Sequence, residues 1–266
     1  MATTPAINPL ELSVNLPQRL LDLLFPPRCV HCGLTGSPLC AACRSAIRQP
    51  PAPRCARCDQ PLSAATGRQC ASCDALARLP APPALERIVV ASVYEGAVGS
   101  AIRALKFRKQ RRLAQPLGRL LADAAVRAGL SGDLIIPMPL HRGRRRERGY
   151  NQATLLARPL ASALRAPLYD GALARIRATR PQTRLSRDAR RANVAGAFAL
   201  TGGPVAVSLL AGKRILLVDD VTTTGATLDA AAEALLAARP AAIYALAVAR
   251  PMRSGAMPDD DVALDL

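Results

Sequence analysis

At 266 residues the chain can form one α/β domain with a substantial core and one smaller unit, and half of its residues are hydrophobic although only 3% are aromatic. The formal net charge of +17 is carried almost entirely by arginine, because only Lys106, Lys109 and Lys213 are lysines. This excess favours a phosphate-bearing partner, either a small molecule or nucleic acid, although an arginine-rich codon usage would produce it as well.

The first 28 residues predict a short helical segment. Leu16, Leu20, Leu23 and Leu24 have helical spacing, and we expect this face to pack against the protein. No basic segment precedes them and polar residues interrupt them, so we expect no secretory signal. No run approaches the ~20 apolar residues of a membrane span. The sequence therefore predicts a cytoplasmic protein without membrane insertion.

All eight cysteines fall into four CxxC pairs, separated by 7, 11 and 11 residues. Two such pairs can bind Zn²⁺ tetrahedrally. Disulfides are disfavoured in a protein without a secretory signal. A thioredoxin-like redox role would need a single CxxC pair at the start of a helix. We predict a double zinc ribbon over residues 29–75 with two structural zinc ions. Grouping in chain order is preferred, and an interleaved grouping that joins the first pair to the third stays open. The preferred ligand sets are Cys29, Cys32, Cys40 and Cys43, and Cys55, Cys58, Cys70 and Cys73.

Residues 85–252 alternate strand and helix patterns, which is typical of an α/β domain. The remaining residues, 253–266, are predicted to form a flexible acidic tail. Within the domain the apolar runs 88–94 and 134–138 predict strands, and helices are predicted over 99–107, 117–128 and from about 150 through 164.

A strongly basic segment follows the strand at 134–138. Residues 141–149 contain five arginines and two glycines, and we predict a loop here. Gly143 and Gly149 would permit close backbone approach and the arginines would neutralise negative charge, so such a loop can hold a diphosphate. A solvated basic loop is the alternative.

Residues 215–227 read ILLVDDVTTTGAT and are the most informative run in the chain. Ile215 to Val218 predict a buried strand of a parallel sheet, which ends at Asp219 and Asp220. A threonine- and glycine-rich loop then leads into a helix over 228–238. This loop and the helix N-terminus can bind a phosphate, whereas paired carboxylates suit sugar hydroxyls or a divalent cation. A sugar phosphate explains both halves, and a plain strand, turn and capped helix is the alternative.

This run resembles the phosphoribosyl diphosphate (PRPP) motif of type I phosphoribosyltransferases. The resemblance implies a mostly parallel sheet with helices on both faces, with Asp219 and Asp220 as catalytic residues that contact the ribose and Mg²⁺. It implies that the 5′-phosphate is held by Thr222, Thr223, Thr224, Gly225, Ala226 and Thr227. It also implies a pyrophosphate loop with the candidate ligands Arg142, Arg144, Arg145 and Arg148. A mobile hood loop would contain Thr179, Gln182, Ser186 and Arg190.

Further motifs make the chain similar to the ComF family of competence-associated, phosphoribosyltransferase-like proteins over roughly residues 29–250. They are the CxxC pairs, Pro137-Met-Pro-Leu140, Arg148-Gly-Tyr-Asn-Gln152 and an array from Thr179 to Phe198. The resemblance implies binding of Mg·PRPP, transfer of phosphoribosyl to an unknown acceptor, and a link to DNA uptake in natural transformation.

Two alternatives to a transferase remain open: a single-stranded nucleic-acid-binding competence factor and a PRPP-sensing regulator. The few aromatic residues are scattered, which counts against a stacking platform for single strands.

Overall fold

The computed structural model describes residues 25–63, 67–78, 83–177 and 192–252. The predicted N-terminal helical segment apart from residues 25–28, the hood residues Thr179, Gln182, Ser186 and Arg190, and the predicted tail lie outside these ranges. The described helices and strands are, in chain order, α1 (Ala41–Ser45), α2 (Ala71–Ala77), β1 (Arg87–Val93), α3 (Gly96–Phe107), α4 (Ala114–Arg127), β2 (Leu134–Pro137), α5 (Arg142–Arg148), α6 (Gln152–Leu164), β3 (Leu173–Arg175), β4 (Phe198–Leu200), α7 (Gly203–Leu210), β5 (Arg214–Val221), α8 (Ala226–Leu235) and β6 (Ala242–Arg250). Short 3₁₀ turns at Arg111–Leu113 and Leu236–Ala238 adjoin α4 and α8.

Four strands form one parallel sheet in the order β1-β6-β5-β2. Side chains alternate between its faces: Leu216 and Val218 join a core with α3, α4 and α6, whereas Ile215 and Leu217 join a second core with α8. The predicted parallel sheet with helices on both faces is therefore confirmed. This alternation also sends the two acidic residues that follow in β5 toward opposite faces.

Three strands and one helix of the α/β domain were not predicted. The strand β6 is rich in alanine, which favours helices, but its position between β1 and β5 buries it as a central strand. The antiparallel pair β3–β4 and the helix α7 were also missed. Strand β5 extends beyond the predicted end and includes both aspartates.

The basic segment at 142–148 is a helix, so the prediction of a loop was wrong. Arginine and glutamate are good helix formers. The His141 side chain accepts a hydrogen bond from Gly143 N (3.3 Å) at the N-terminus, and Gly149 ends the helix in the left-handed conformation (φ 79°). Gly143 therefore lies in the first turn of a helix and Gly149 ends it, and the arginines are divided between two faces of this helix.

Both cysteine segments lie against the α/β domain. Cys29, Cys40 and Cys43 belong to the core that contains α3 and α4. The second segment covers the edge strand β1, where Ile88 N donates to Arg57 O (2.7 Å) and Val90 N donates to the buried carboxylate of Asp59 (2.8 Å). No helix in the described ranges has the length and apolar composition to cross a bilayer.

Candidate functional site: a basic cleft above an acidic strand end

A cleft lies at the carboxyl ends of β2 and β5, where ligands bind in open α/β sheets. Its walls come from the end of β2, the helices α3 and α5, the hairpin strand β3 and the loop between β5 and α8. It brings together most of the residues that the sequence singled out. The lining residues with polar or charged groups are Lys106, Arg144, Arg148, Gln152, Arg175, Asp219, Asp220, Thr222, Thr223 and Thr227.

The two aspartates differ in their surroundings. Asp220 is buried, and one of its carboxylate oxygens lies 3.0 Å from Lys106 Nζ, whose side chain is only 5% exposed. Asp219 accepts a hydrogen bond from Asp220 N (2.8 Å). Burial, together with the neighbouring charge of Asp220, raises the pKa of Asp219 to about 7. Both carboxylates line the cleft, but Asp220 is paired with a lysine whereas Asp219 has a raised pKa.

The loop after β5 has the shape expected for a phosphate site. Thr222 is buried and its N–H donates to Ala249 O of β6 (3.1 Å), which fixes the start of the loop to the sheet. Gly225 has φ 84°, and a Cβ at this position would lie 2.6 Å from Ile88 Cδ1. The helix α8 begins at the next residue, and the first amides of a helix have no intrahelical acceptors. The loop therefore presents a helix N-terminus to the cleft.

Three arginines lie on the basic side of the cleft. Arg144 and Arg148 are one helical turn apart on α5 and are partly buried, whereas Arg142 and Arg145 are exposed and do not line the cleft. Arg175 reaches the cleft from β3. Burial lowers the pKa of Arg148 and Arg175, and the charge of Arg144 lowers both further. A cluster of partly desolvated cations of this kind stabilises a multiply charged anion.

The Arg148–Gln152 motif has a structural explanation. Arg148 donates to the Gln152 side chain, and Tyr150 is buried with its hydroxyl donating to Leu105 O. Asn151 caps α6 by accepting from Ala153 N (3.1 Å) and donates to Met138 O (3.0 Å) at the end of β2. The motif thus ties α5 and α6 to the strand end and holds Arg148 over the cleft.

Lys106 and Arg175 were not assigned to this site from the sequence. Lys106 had a usable signal, because it is one of three lysines in a chain that otherwise uses arginine. Arg175 has no distinguishing sequence signal, and its position follows only from the antiparallel pairing of β3 with β4.

The cysteines form two clusters, grouped in chain order as preferred, and the interleaved grouping was wrong. Within each cluster all four Sγ atoms lie within 4.8 Å of one another, and none of the eight is in a disulfide. A tetrahedral zinc with Zn–S bonds of ~2.3 Å places its sulfurs roughly 3.8 Å apart. The Cys32–Cys40 and Cys58–Cys70 pairs, at 3.6 and 3.7 Å, fit this geometry. Each cluster offers four ligands and no open position.

Comparison with known families agrees with this geometry. The phosphoribosyl transferase domain family matches residues 151–265, and the double zinc ribbon domain family matches residues 20–74. The fold and cleft therefore define a phosphoribosyltransferase-type α/β domain preceded by a double zinc ribbon.

The chain belongs to the ComF family. It is 35% identical to the DNA utilization protein YhgH of Escherichia coli K12, over 65% of this chain and 76% of that protein. It is 36% identical to Competence protein F of Haemophilus influenzae, over 55% of this chain and 65% of that protein.

Among solved structures, the Bacillus subtilis glutamine PRPP amidotransferase complexed with ADP and GMP aligns with 55% of this chain and 30% of its own, with 16% identity and a TM-score of 0.36. A hypothetical protein from Neisseria gonorrhoeae with bound ppGpp aligns with 55% of this chain and 73% of its own, with 18% identity and a TM-score of 0.34.

Proposed function

We propose that this protein binds Mg·PRPP in the cleft and transfers its phosphoribosyl group to an acceptor. The observation that carries the proposal is the meeting of three parts at one sheet edge. An acidic strand end suits a ribose, the loop before α8 suits a monophosphate, and the cluster of Arg144, Arg148 and Arg175 suits a diphosphate. These are the three parts of PRPP, in one cleft.

In the proposed reaction the acceptor attacks C1 of the ribose and the bond from C1 to the pyrophosphate oxygen breaks, with positive charge developing on the sugar. Asp219, once ionised, accepts hydrogen bonds from the ribose hydroxyls and stabilises this charge. The three arginines neutralise the leaving pyrophosphate. Lys106 keeps Asp220 in place beside the ribose site. Carboxylate and phosphate oxygens are the ligands that Mg²⁺ prefers, and the ion would supply further neutralisation of the diphosphate.

A second candidate function is binding of single-stranded nucleic acid. The names of the relatives refer to DNA utilization and competence. In this chain Arg142, Arg145 and Arg146 are exposed on the side of α5 away from the cleft lining, where they can contact a phosphate backbone while PRPP is bound. The two functions therefore use different faces of one helix.

The test is pyrophosphate release from PRPP by purified, zinc-loaded protein, with a panel of nucleobases and single-stranded DNA as acceptors. We expect release that depends on one acceptor and is lost in Asp219→Asn. If PRPP binds and no acceptor promotes release, the protein is a PRPP sensor. If DNA binds and PRPP does not, the second function replaces the first.

A further inference from the structure

The second zinc ribbon, which contains Cys55, Cys58, Cys70 and Cys73, contacts the helix α8 through Arg57. Arg57 lies between Cys55 and Cys58. One guanidinium nitrogen (Nη2) donates to Asp229 Oδ1 (3.0 Å) and to Leu85 O (3.3 Å), and the other (Nη1) lies 3.9 Å from Cys73 Sγ. The side chains of Arg57 and Asp229 are only 11% and 10% exposed. One buried side chain thus joins a cysteine of the metal cluster to the α/β domain.

Asp229 belongs to the first turn of α8, the helix whose N-terminus faces the cleft. Its N–H donates to Gly225 O (2.9 Å), so it is bonded directly to the glycine of the phosphate-binding loop. The Arg57–Asp229 ion pair therefore joins the second ribbon to the first turn of α8.

A second connection runs through the end of β6. Arg250 is buried, and its Nη1 donates to Cys58 O (2.6 Å) in the same ribbon turn. The preceding residue, Ala249, accepts the hydrogen bond from Thr222 N at the start of the phosphate-binding loop. Both ends of that loop are thus connected to the second ribbon.

A cavity of about 230 Å³ lies along this contact and is lined by residues of the ribbon and of the loop. Its lining shares Thr223 and Ala226 with the proposed PRPP cleft. The first ribbon is placed differently: it packs against α3, where His31 Nδ1 lies 3.3 Å from Ser100 Oγ. The two ribbons therefore differ in what their metal can influence.

We propose that the second ribbon positions the phosphate-binding loop through Arg57, so that zinc loading of this ribbon and PRPP binding strengthen each other. The inference rests on the proposed function. A ribbon of this size depends on its metal for its fold, so zinc loss removes the structure that holds Arg57 against Asp229. Coupling between two binding equilibria is reciprocal. Bound PRPP must therefore raise the zinc affinity of the ribbon by the same factor by which bound zinc raises the affinity for PRPP.

The test is zinc release from the full-length, zinc-loaded protein to an excess of a chromogenic chelator, with and without saturating Mg·PRPP. We expect PRPP to slow the release of one zinc at least fivefold and to leave the other unchanged. The variant Cys29→Ser/Cys32→Ser should lose the unaffected phase, which assigns the protected zinc to the second ribbon.

The variant Arg57→Met/Asp229→Asn removes the connection without leaving a buried charge unpaired. It should bind two zincs and show no protection by PRPP, with PRPP affinity reduced at least fivefold. The matched control is Arg48→Met, which breaks the exposed Arg48–Glu95 ion pair between the linker and the domain, and it should keep full protection. Full protection in Arg57→Met/Asp229→Asn, or none in a wild-type protein that binds PRPP, would overturn the inference.

If the wild-type protein binds no PRPP, the proposed function fails, and amide hydrogen exchange decides the coupling. Residues 222–229 should then exchange at least fivefold faster in Cys70→Ser/Cys73→Ser than in the wild type. Unchanged exchange there would overturn the coupling by itself.

Discussion

Replacing Lys106 by methionine tests the role of the buried ion pair beneath the cleft. Met has a similar length and no charge, so the change isolates the loss of the ammonium group. It leaves the carboxylate of Asp220, whose side chain is 3% exposed, without its counter-charge. We expect the folded protein to lose much of its stability at pH 7.

The magnitude follows from the geometry of the pair. At 3.0 Å the attraction is about 5 kcal/mol for an effective dielectric constant of ~20. Removing one partner of a buried pair typically costs about 3–5 kcal/mol. We therefore expect a destabilisation of about 3–5 kcal/mol, or roughly 10 °C in Tm for a domain of this size.

Circular dichroism during urea and thermal denaturation measures this loss. Lys106→Met/Asp220→Asn, which has no buried charge at the pair, should recover most of the stability. Lys109→Met, at an exposed lysine nearby, is the control and should change stability by less than about 0.5 kcal/mol. A loss below about 1 kcal/mol in Lys106→Met would refute the reasoning.

Four further predictions follow from the site and the ribbons. Arg144→Ala should weaken Mg·PRPP binding at least tenfold in calorimetry, because Arg144 lines the cleft. Arg145→Ala, at the neighbouring exposed position, should leave Mg·PRPP binding unchanged. It should instead lower the salt slope of single-stranded DNA binding by about one unit. Asp219 has a pKa of about 7 and must be ionised to accept hydrogen bonds from the ribose hydroxyls. PRPP affinity should therefore fall by up to tenfold per pH unit below pH 7 and level off above pH 7. An equally steep pH dependence of PRPP affinity in Asp219→Asn would contradict this. Gly225→Ala forces a side chain into a left-handed backbone (φ 84°) and should cost about 1–2 kcal/mol by thermal denaturation, together with weaker PRPP binding. Elemental analysis should return two zincs per chain, one for each cysteine cluster, and a value near one would mean that only one ribbon is filled.

The strand β5 and its loop could be predicted because their information is local. A continuous apolar run marks a buried parallel strand, and the two acids, the threonines and the glycine that follow it lie at its carboxyl end, where the structure has a cleft. The cysteine spacing likewise predicted two metal clusters, because a CxxC turn directs both of its thiolates to one point.

Other features depend on tertiary contacts that no local pattern contains. The pairing of Lys106 with Asp220 requires the position of α3 over the sheet. Composition indicated a basic loop at 142–148, but helix propensity and a left-handed glycine make it a helix that divides its arginines between two faces. The contact of Arg57 with Asp229 of α8 could not be predicted, because the spacing of the cysteines does not determine the direction of the side chains between them.

The second ribbon also changes an expectation about metal removal. If the ribbons were independent of the α/β domain, chelation would unfold residues 29–75 and leave the domain largely intact. However, β1 donates hydrogen bonds to Arg57 O and to the Asp59 carboxylate, and Arg250 donates one to Cys58 O. These hydrogen bonds favour a larger effect of chelation on the α/β domain. Amide hydrogen exchange of β1 before and after chelation measures this effect.

The central claim is that the acidic strand end binds the ribose of PRPP, and a calorimetric titration of Mg·PRPP tests it most directly. Asp219→Asn is the informative variant, because changing Asp220 alone would leave Lys106 buried without its partner. The account predicts saturable binding by the wild-type protein and affinity at least tenfold weaker, about 1.4 kcal/mol, in a folded Asp219→Asn protein. Equal affinity in the two proteins, or no binding by the zinc-loaded wild type, would contradict it.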